Sequence, residues 1–302
     1  MKHLSLVLLL FVFVACKRKP KPENTVEQSR TTGSVKILTD ASFARVLADQ
    51  IEVFKTDYPT AEFTVIEGNE NKILPTFLND SVRVMISSRM LTPEEDKLYR
   101  NRSIVPRTSR FAIDGIALIT NAANADSTIT VQEVIDILQG KSTSGKQLVF
   151  DNAYSSTLRY FKDLAGIKEL PKKGVYTLQD NNDVIKYVAN NNNFIGVVGV
   201  NWLISNEAAM AGPIAKVKML GVKNLPGKKG DDAFYTPIQQ NLINGIYPFL
   251  RNIYIINAEG REGLGTGFAN WLVSPRGQLI VLKSGLGPHK MMPREFNLKN
   301  TN

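Results

Sequence analysis

Cysteine is nearly absent: the 302 residues contain one, Cys16. That count excludes an internal disulfide framework and any metal site built on several thiolates. Histidine is almost as scarce, with only His3 and His289 in the whole chain. A Ser-His-Asp arrangement would have to use His289, and no G-x-S-x-G turn is present to carry the nucleophile. There is no H-E-x-x-H pair and no Cys/His cluster, which argues against a catalytic zinc and any other resident metal. Gly140-Lys141-Ser142 lacks the glycine five residues earlier that a phosphate-cradling P-loop needs, and Gly263-Leu264-Gly265-Thr266-Gly267 lacks dinucleotide spacing and reads as the start of a helix. Paired carboxylates such as Glu94 and Glu95 are accounted for by the positive end of a helix. These gaps argue against an enzyme and against a cofactor.

What is present is an ordinary globular composition, 43% hydrophobic and 22% charged, on a length that suggests about two domains. Basic residues exceed acidic ones by 37 to 28, leaving a net charge of +9. Much of that excess lies near the N-terminus. Lys2 and His3 precede an apolar run from Leu4 to Ala15, broken only by Ser5. As a helix this run would rise ~18 Å, short of the ~30 Å hydrocarbon core, so residues 1–15 read as a signal peptide. The run ends Phe13-Val14-Ala15-Cys16, which resembles a bacterial lipobox with Phe13 in place of the usual leucine. Cys16 is then the expected lipidation site. Residues 16–33 follow as a flexible, Lys-, Pro-, Ser- and Thr-rich tether carrying +3 of the total charge. A basic run beside a lipid anchor favours anionic headgroups, at about 1 kcal/mol per charge; it does not point to nucleic acid.

From Ser34 onward, extended apolar segments alternate with helical ones. VKIL (35–38), AEFTVIE (61–67), VRVMIS (82–87), LVF (148–150), FIGVVGV (194–200) and RNIYIIN (251–257) read as strands. Val46, Leu47, Ile51 and Phe54 recur at helical spacing, and Thr92-Pro93-Glu94-Glu95 and Thr130-Val131-Gln132-Glu133 are capping boxes. The alternation predicts an α/β chain with mainly parallel sheets and a ligand site at strand C-termini.

Small hydroxyl residues cluster at three strand-to-helix junctions: Thr39-Asp40-Ala41-Ser42, Ser87-Ser88-Arg89, and Ser155-Ser156-Thr157. Each combines hydroxyls with the free N–H groups of a helix start, a setting suited to a small oxyanion. One such junction is an N-cap and nothing more; three in one chain favour an anion site.

The segments Asp114-Gly-Ile-Ala-Leu-Ile-Thr-Asn121, Ile137-Leu-Gln-Gly-Lys141, Ser155-Ser-Thr157 with Phe161, Tyr247-Pro248-Phe-Leu-Arg251 and Ser274-Pro-Arg-Gly-Gln278 resemble the phosphate-binding lipoproteins of bacterial ABC importers. The resemblance covers about residues 34–290. It implies the periplasmic-binding-protein type II fold: two α/β lobes joined by two crossing strands near 111–119 and 247–256. Lobe 1 would comprise 34–115 and 250–302, and lobe 2 residues 116–249. It also implies a monomer on the outer face of a bacterial membrane that hands phosphate or a similar oxyanion to an ABC permease. Carried over by position, Thr39 to Ser42, Gly68-Asn69, Ser87-Ser88 and the Ser155-Ser156-Thr157 loop are the expected ligand contacts. Two positions depart from the family. Its proton-accepting aspartate is Ser88 here, and its arginine before the loop is Asp151, leaving Arg89 or Arg159 to supply a cation. These departures keep open an alternative, a ligand-poor sensor or surface-interaction protein on the same fold.

Overall fold

The computed structural model describes residues 28–204, 207–259 and 262–290; Cys16, the signal segment and the tether as far as residue 27 lie outside the described residues. The first half opens with β1 (Gly33–Asp40), α1 (Ala44–Asp57), β2 (Ala61–Gly68), α2 (Glu70–Leu78), β3 (Val84–Ser87) and α3 (Pro93–Arg100). Local chemistry sets these boundaries. Asp40 accepts the Ser42 N–H at 2.9 Å and starts a 3-10 turn, Ala41–Phe43, that leads into α1. Along α1 the buried residues Val46, Leu47, Gln50 and Phe54 form one face. At α3 both hydrogen bonds of the Thr92–Glu95 capping box are made.

The chain then crosses on β4 (Arg107–Asn121) and continues through β5 (Thr128–Thr130), α4 (Val131–Leu138), β6 (Gln147–Phe150), α5 (Ser156–Ala165) and β7 (Val175–Thr177). Helix α5 stops at Gly166, whose φ of 65° is left-handed and suits glycine. Next come α6 (Asn181–Asn190), β8 (Phe194–Gly199), α7 (Ala208–Ala215), β9 (Val217–Met219), β10 (Gly221–Lys223) and α8 (Gln239–Ile243). The return runs on β11 (Leu250–Asn257), followed by α9 (Leu264–Leu272), α10 (Pro275–Lys283) and β12 (Gly287–Pro288).

The main sheet has the order β2-β1-β3-β11-β4-β8-β6-β7, with β9 and β12 also pairing with β4. Its flanks are parallel, as the βα alternation requires. Its centre is not: β11 is antiparallel to both β3 and β4, and β4 is antiparallel to β8. The expectation of mainly parallel sheets therefore needs correcting to a mixed sheet. The reason is the passage of the chain from one half to the other and back, which runs β4 and β11 in opposite senses.

Strand β4 is the spine of this two-lobed α/β fold. Its 15 residues extend about 50 Å. The half from Arg107 to Gly115 pairs with β11, and Ile116 to Asn121 pairs with β8 and β9. At the changeover stands Gly115, where a Cβ would come within 2.6 Å of Leu242 on α8. Among the described residues no helix is long and apolar enough to cross a membrane, and no group of three or more His, Cys, Asp or Glu is placed to hold a metal.

Candidate functional site

Parallel pairing brings the C-terminal ends of β2, β1 and β3 to one edge. Asp40 stands opposite Gly68, and Thr39 opposite Ile86, one residue before Ser87. Open α/β sheets present their ligand sites at such ends. Facing them is the N-terminus of α5, from the other half of the molecule. The two sides touch: Ser42 Oγ and Thr157 Oγ1 are 3.4 Å apart, and Trp202 donates its indole N–H to the Ser42 carbonyl at 3.0 Å.

At the bottom of this contact lies Arg251, the second residue of β11, in register with Asp114 of β4. Its Nε donates to Asp114 Oδ2 at 2.7 Å, and the two side chains are 3% and 0% exposed. The Phe43 ring covers the guanidinium, with its centroid 4.7 Å from Cζ. Nη1 donates to Ser156 Oγ at 3.0 Å and Thr157 Oγ1 at 3.1 Å. Both hydroxyls thus accept from Arg251 and keep their own protons to donate elsewhere.

Nη2 of Arg251 has no partner although it is buried, and the same holds for Asp40 Oδ2 and Asn181 Oδ1. Buried polar atoms are nearly always paired, and each one left unpaired costs about 1–3 kcal/mol. A chain of short contacts runs from Asp40 through Ser42 and Thr157 to Arg251. Unpaired donors and acceptors at both ends of that chain mark a place suited to a small polar ligand. Burial pushes the Asp114 carboxyl up from its usual range, and the Arg251 charge opposes the shift.

The α5 loop departs from the expectation for Ser155. Its Oγ accepts the Leu158 N–H at 3.0 Å as an N-cap and donates its proton to Asp151 Oδ1 at 2.6 Å. Its own N–H is bonded to the Asn152 carbonyl at 3.1 Å. Ser155 therefore holds the loop and has no donor left over. Asp151 is buried and also accepts from Asn181 Nδ2 at 3.3 Å. Burial raises its pKa; the Ser155 hydroxyl and the more distant Arg251 pull it down, while Asp40 pushes it up.

The remaining predicted positions split. Thr39, Asp40, Ser42, Ser156 and Thr157 are buried together around Arg251, whereas Ala41 is exposed. Ser87 Oγ accepts the Arg89 N–H at 3.2 Å. Asn69 caps α2 by accepting the Lys72 N–H, just beyond Gly68. Arg89 is bound to Glu70 at 2.6 Å and to Glu95 at 2.7 Å, and Arg159 to Glu70 at 3.0 Å. Arg159 also donates to Ser88 Oγ at 2.8 Å. Neither arginine suggested as the replacement cation is free; together they form a polar clasp between α5 and the β2–β3 edge. Ser88 serves the clasp.

The residue that sequence reasoning missed as a ligand group is Arg251, with its partner Asp114. A signal was available. Arg251 is the one charge in β11, and Asp114 interrupts the otherwise apolar run from Phe111 to Ile119 in β4; opposite charges so placed pair when the strands do.

Comparison with known proteins agrees with this architecture. A profile for the PBP superfamily domain matches residues 24–276. The phosphate-binding protein PstS of Pseudomonas aeruginosa is 22% identical over 286 residues, covering 86% of this chain and 84% of that protein. Among solved structures, a Clostridium perfringens protein assigned as a phosphate ABC transporter substrate-binding protein, solved with bound phosphate, superposes with a TM-score of 0.70 at 22% identity. It covers 85% of this chain and 100% of its own. An ABC-type phosphate transport receptor from Vibrio cholerae gives a TM-score of 0.63 at 18% identity, with 85% and 100% covered.

Proposed function

The chain belongs to the PBP superfamily, and we propose that it is an extracytoplasmic binding protein that captures phosphate between its two lobes for an ABC permease. One observation carries the reading: a buried guanidinium, Arg251, with an unpartnered Nη2, linked through Thr157 and Ser42 to a buried carboxyl oxygen, Asp40 Oδ2, that also lacks a partner. A ligand that satisfies both ends accepts hydrogen bonds and donates one as well. A protonated oxyanion does both. The names of the relatives, phosphate-binding proteins and phosphate transport receptors, point the same way.

In this reading Arg251 Nη2, the hydroxyls of Ser156, Thr157 and Ser42, and the free N–H groups opening α5 replace the water shell of the anion. Asp40 Oδ2 accepts a hydrogen bond from the hydroxyl of the protonated anion. Three carboxyl groups, Asp40, Asp114 and Asp151, surround a single buried guanidinium, so a dianion without a proton meets a surplus of acceptors. Sulfate is disfavoured on that ground. The ligand is bound and released without covalent change, so the chain is not an enzyme, and hinge closure over the anion is its working stroke. The clasp of Arg159 with Glu70 and Ser88 closes one flank, and the Trp202–Ser42 hydrogen bond closes another. Lipidation at Cys16 would hold the protein, as a monomer, on the outer face of a bacterial membrane next to its permease.

Calorimetric titration with phosphate, sulfate and molybdate tests this reading. Phosphate is expected to bind with a stoichiometry of one, and sulfate not to compete. Absence of heat with all three anions would refute it.

A further inference from the structure

A short 3-10 turn, Val200–Leu203, follows β8 in the lobe opposite Ser42. Its Trp202 donates the indole N–H to the Ser42 carbonyl at 3.0 Å. That carbonyl belongs to the peptide unit between Ser42 and Phe43. The side chains at the two ends of this unit both meet the Arg251 cluster. Ser42 Oγ lies 3.4 Å from Thr157 Oγ1, and the Phe43 ring centroid lies 4.7 Å from Arg251 Cζ. One hydrogen bond from across the cleft therefore grips the peptide that sets both contacts.

Trp202 is itself held in place. The Arg45 guanidinium of α1 lies over its ring, 5.9 Å from the centroid, and Arg45 also pairs across the cleft with Glu207 at 3.6 Å. Gly199 leaves the ring its seat, since a Cβ there would lie 3.4 Å from Trp202 Cδ1. Just past the turn, Ile204 packs so closely on Gly285, at the end of α10, that Gly285 has no room for a Cβ. We propose that Trp202 is a positioning residue for the anion site: it fixes the Ser42–Phe43 peptide from the opposite lobe and so sets how long a bound anion is held. Because the bond joins the two lobes, it strengthens the closed form and adds nothing to the first encounter with the anion. The inference rests on the phosphate reading of the Arg251 site and assigns its release rate to a side chain outside the hydroxyl and guanidinium cluster.

The test is the release and uptake of radiolabelled phosphate by the full chain and by Trp202→Phe, which keeps an aromatic ring and loses the N–H. Release, followed by chase with unlabelled phosphate, is expected to be about three- to tenfold faster in Trp202→Phe, the factor that one hydrogen bond of ordinary net strength supplies. The association rate should change by less than about twofold, since affinity differences between related complexes lie mostly in dissociation. Arg45→Met, which removes the cation over the ring, should act in the same direction and by less. A second measurement needs no variant: the NMR signal of the Trp202 indole proton should become more protected from solvent exchange when phosphate is added. The indole of Trp271, which donates to Gln50 at 3.1 Å, should not change. If the parent binds phosphate while Trp202→Phe releases it at the parental rate, or while the Trp202 indole proton is unaffected, this proposal is overturned and the phosphate reading stands. If the parent binds no phosphate, both fall.

Discussion

Two arginine clusters sit within the same cleft, and they are built on opposite principles. At the rim, Arg89 and Arg159 are partly exposed, their side chains 25% and 38% accessible, and each is saturated by carboxylates. On the floor, Arg251 is 3% exposed, and one of its two terminal nitrogens has nothing to bond. Partner count and burial are inverted from what stability alone would select: the group for which an unmet hydrogen bond costs most is the one left unmet. The rim reads as a clasp, complete in itself. The floor reads as half of an interaction whose other half arrives from solution.

If that contrast holds, substitutions on the floor act on both folding and binding, while those at the rim act on closure. The largest effect is expected for Arg251→Met, which leaves Asp114 buried without its counter-ion. Stability should fall by about 3–5 kcal/mol, read from denaturant unfolding, and phosphate binding should disappear. The double substitution Arg251→Met with Asp114→Asn removes the stranded charge. It should recover most of the stability and none of the binding, which separates the two roles.

Next in size is the loop cap. Ser155→Ala deletes the N-cap of α5 and the hydroxyl held by Asp151, and should lower stability by about 1 kcal/mol. Its effect on phosphate affinity should be smaller than that of Thr157→Val, since Ser155 has no donor to offer. If Ser155→Ala abolished binding while folding was intact, the assignment of that serine to the scaffold would be wrong.

Asp151→Asn probes the floor through pH. Burial holds the Asp151 pKa above its ordinary value of 3.8. A carboxyl raised in the native state contributes its full stabilisation below that ordinary value, and the contribution is lost as pH rises through the native pKa. The asparagine variant has no such loss. Its melting temperature relative to the parent should therefore climb as pH increases from about 4 towards neutrality. A difference that stayed flat with pH would count against the buried carboxyl.

The smallest effect is expected at the rim. Arg159→Ala should change stability by no more than about 1 kcal/mol, because partly exposed ion pairs contribute little. Its signature should be kinetic, a faster release of phosphate in stopped-flow measurements with the association rate little altered.

The fold was largely legible in the sequence. Helix starts at Asp40, Thr92, Thr130 and Ser155 were marked by capping side chains, and Gly166 marked a stop. Alternating strand and helix patterns were sufficient for the α/β class. The antiparallel centre of the sheet was harder, since strand direction depends on long-range pairing that local periodicity does not encode. In the site, Asp40, Ser42, Ser156 and Thr157 could be found because they lie at helix starts. Arg251 could not be found that way. It lies inside a strand, and its function depends on register with Asp114, 137 residues earlier. Arg89 and Arg159 drew attention through proximity to the hydroxyl motifs, yet the acids that saturate them come partly from α2 and α3.

The most direct test of the account is a crystal structure of the phosphate complex, with the position of the phosphorus atom as the measurement. The account predicts an anion on the floor, with a phosphate oxygen in hydrogen-bond contact with Arg251 Nη2 and a phosphate hydroxyl directed at Asp40 Oδ2. Phosphate seated at the rim between Arg89 and Arg159, with the Arg251 nitrogen still unpaired, would contradict it.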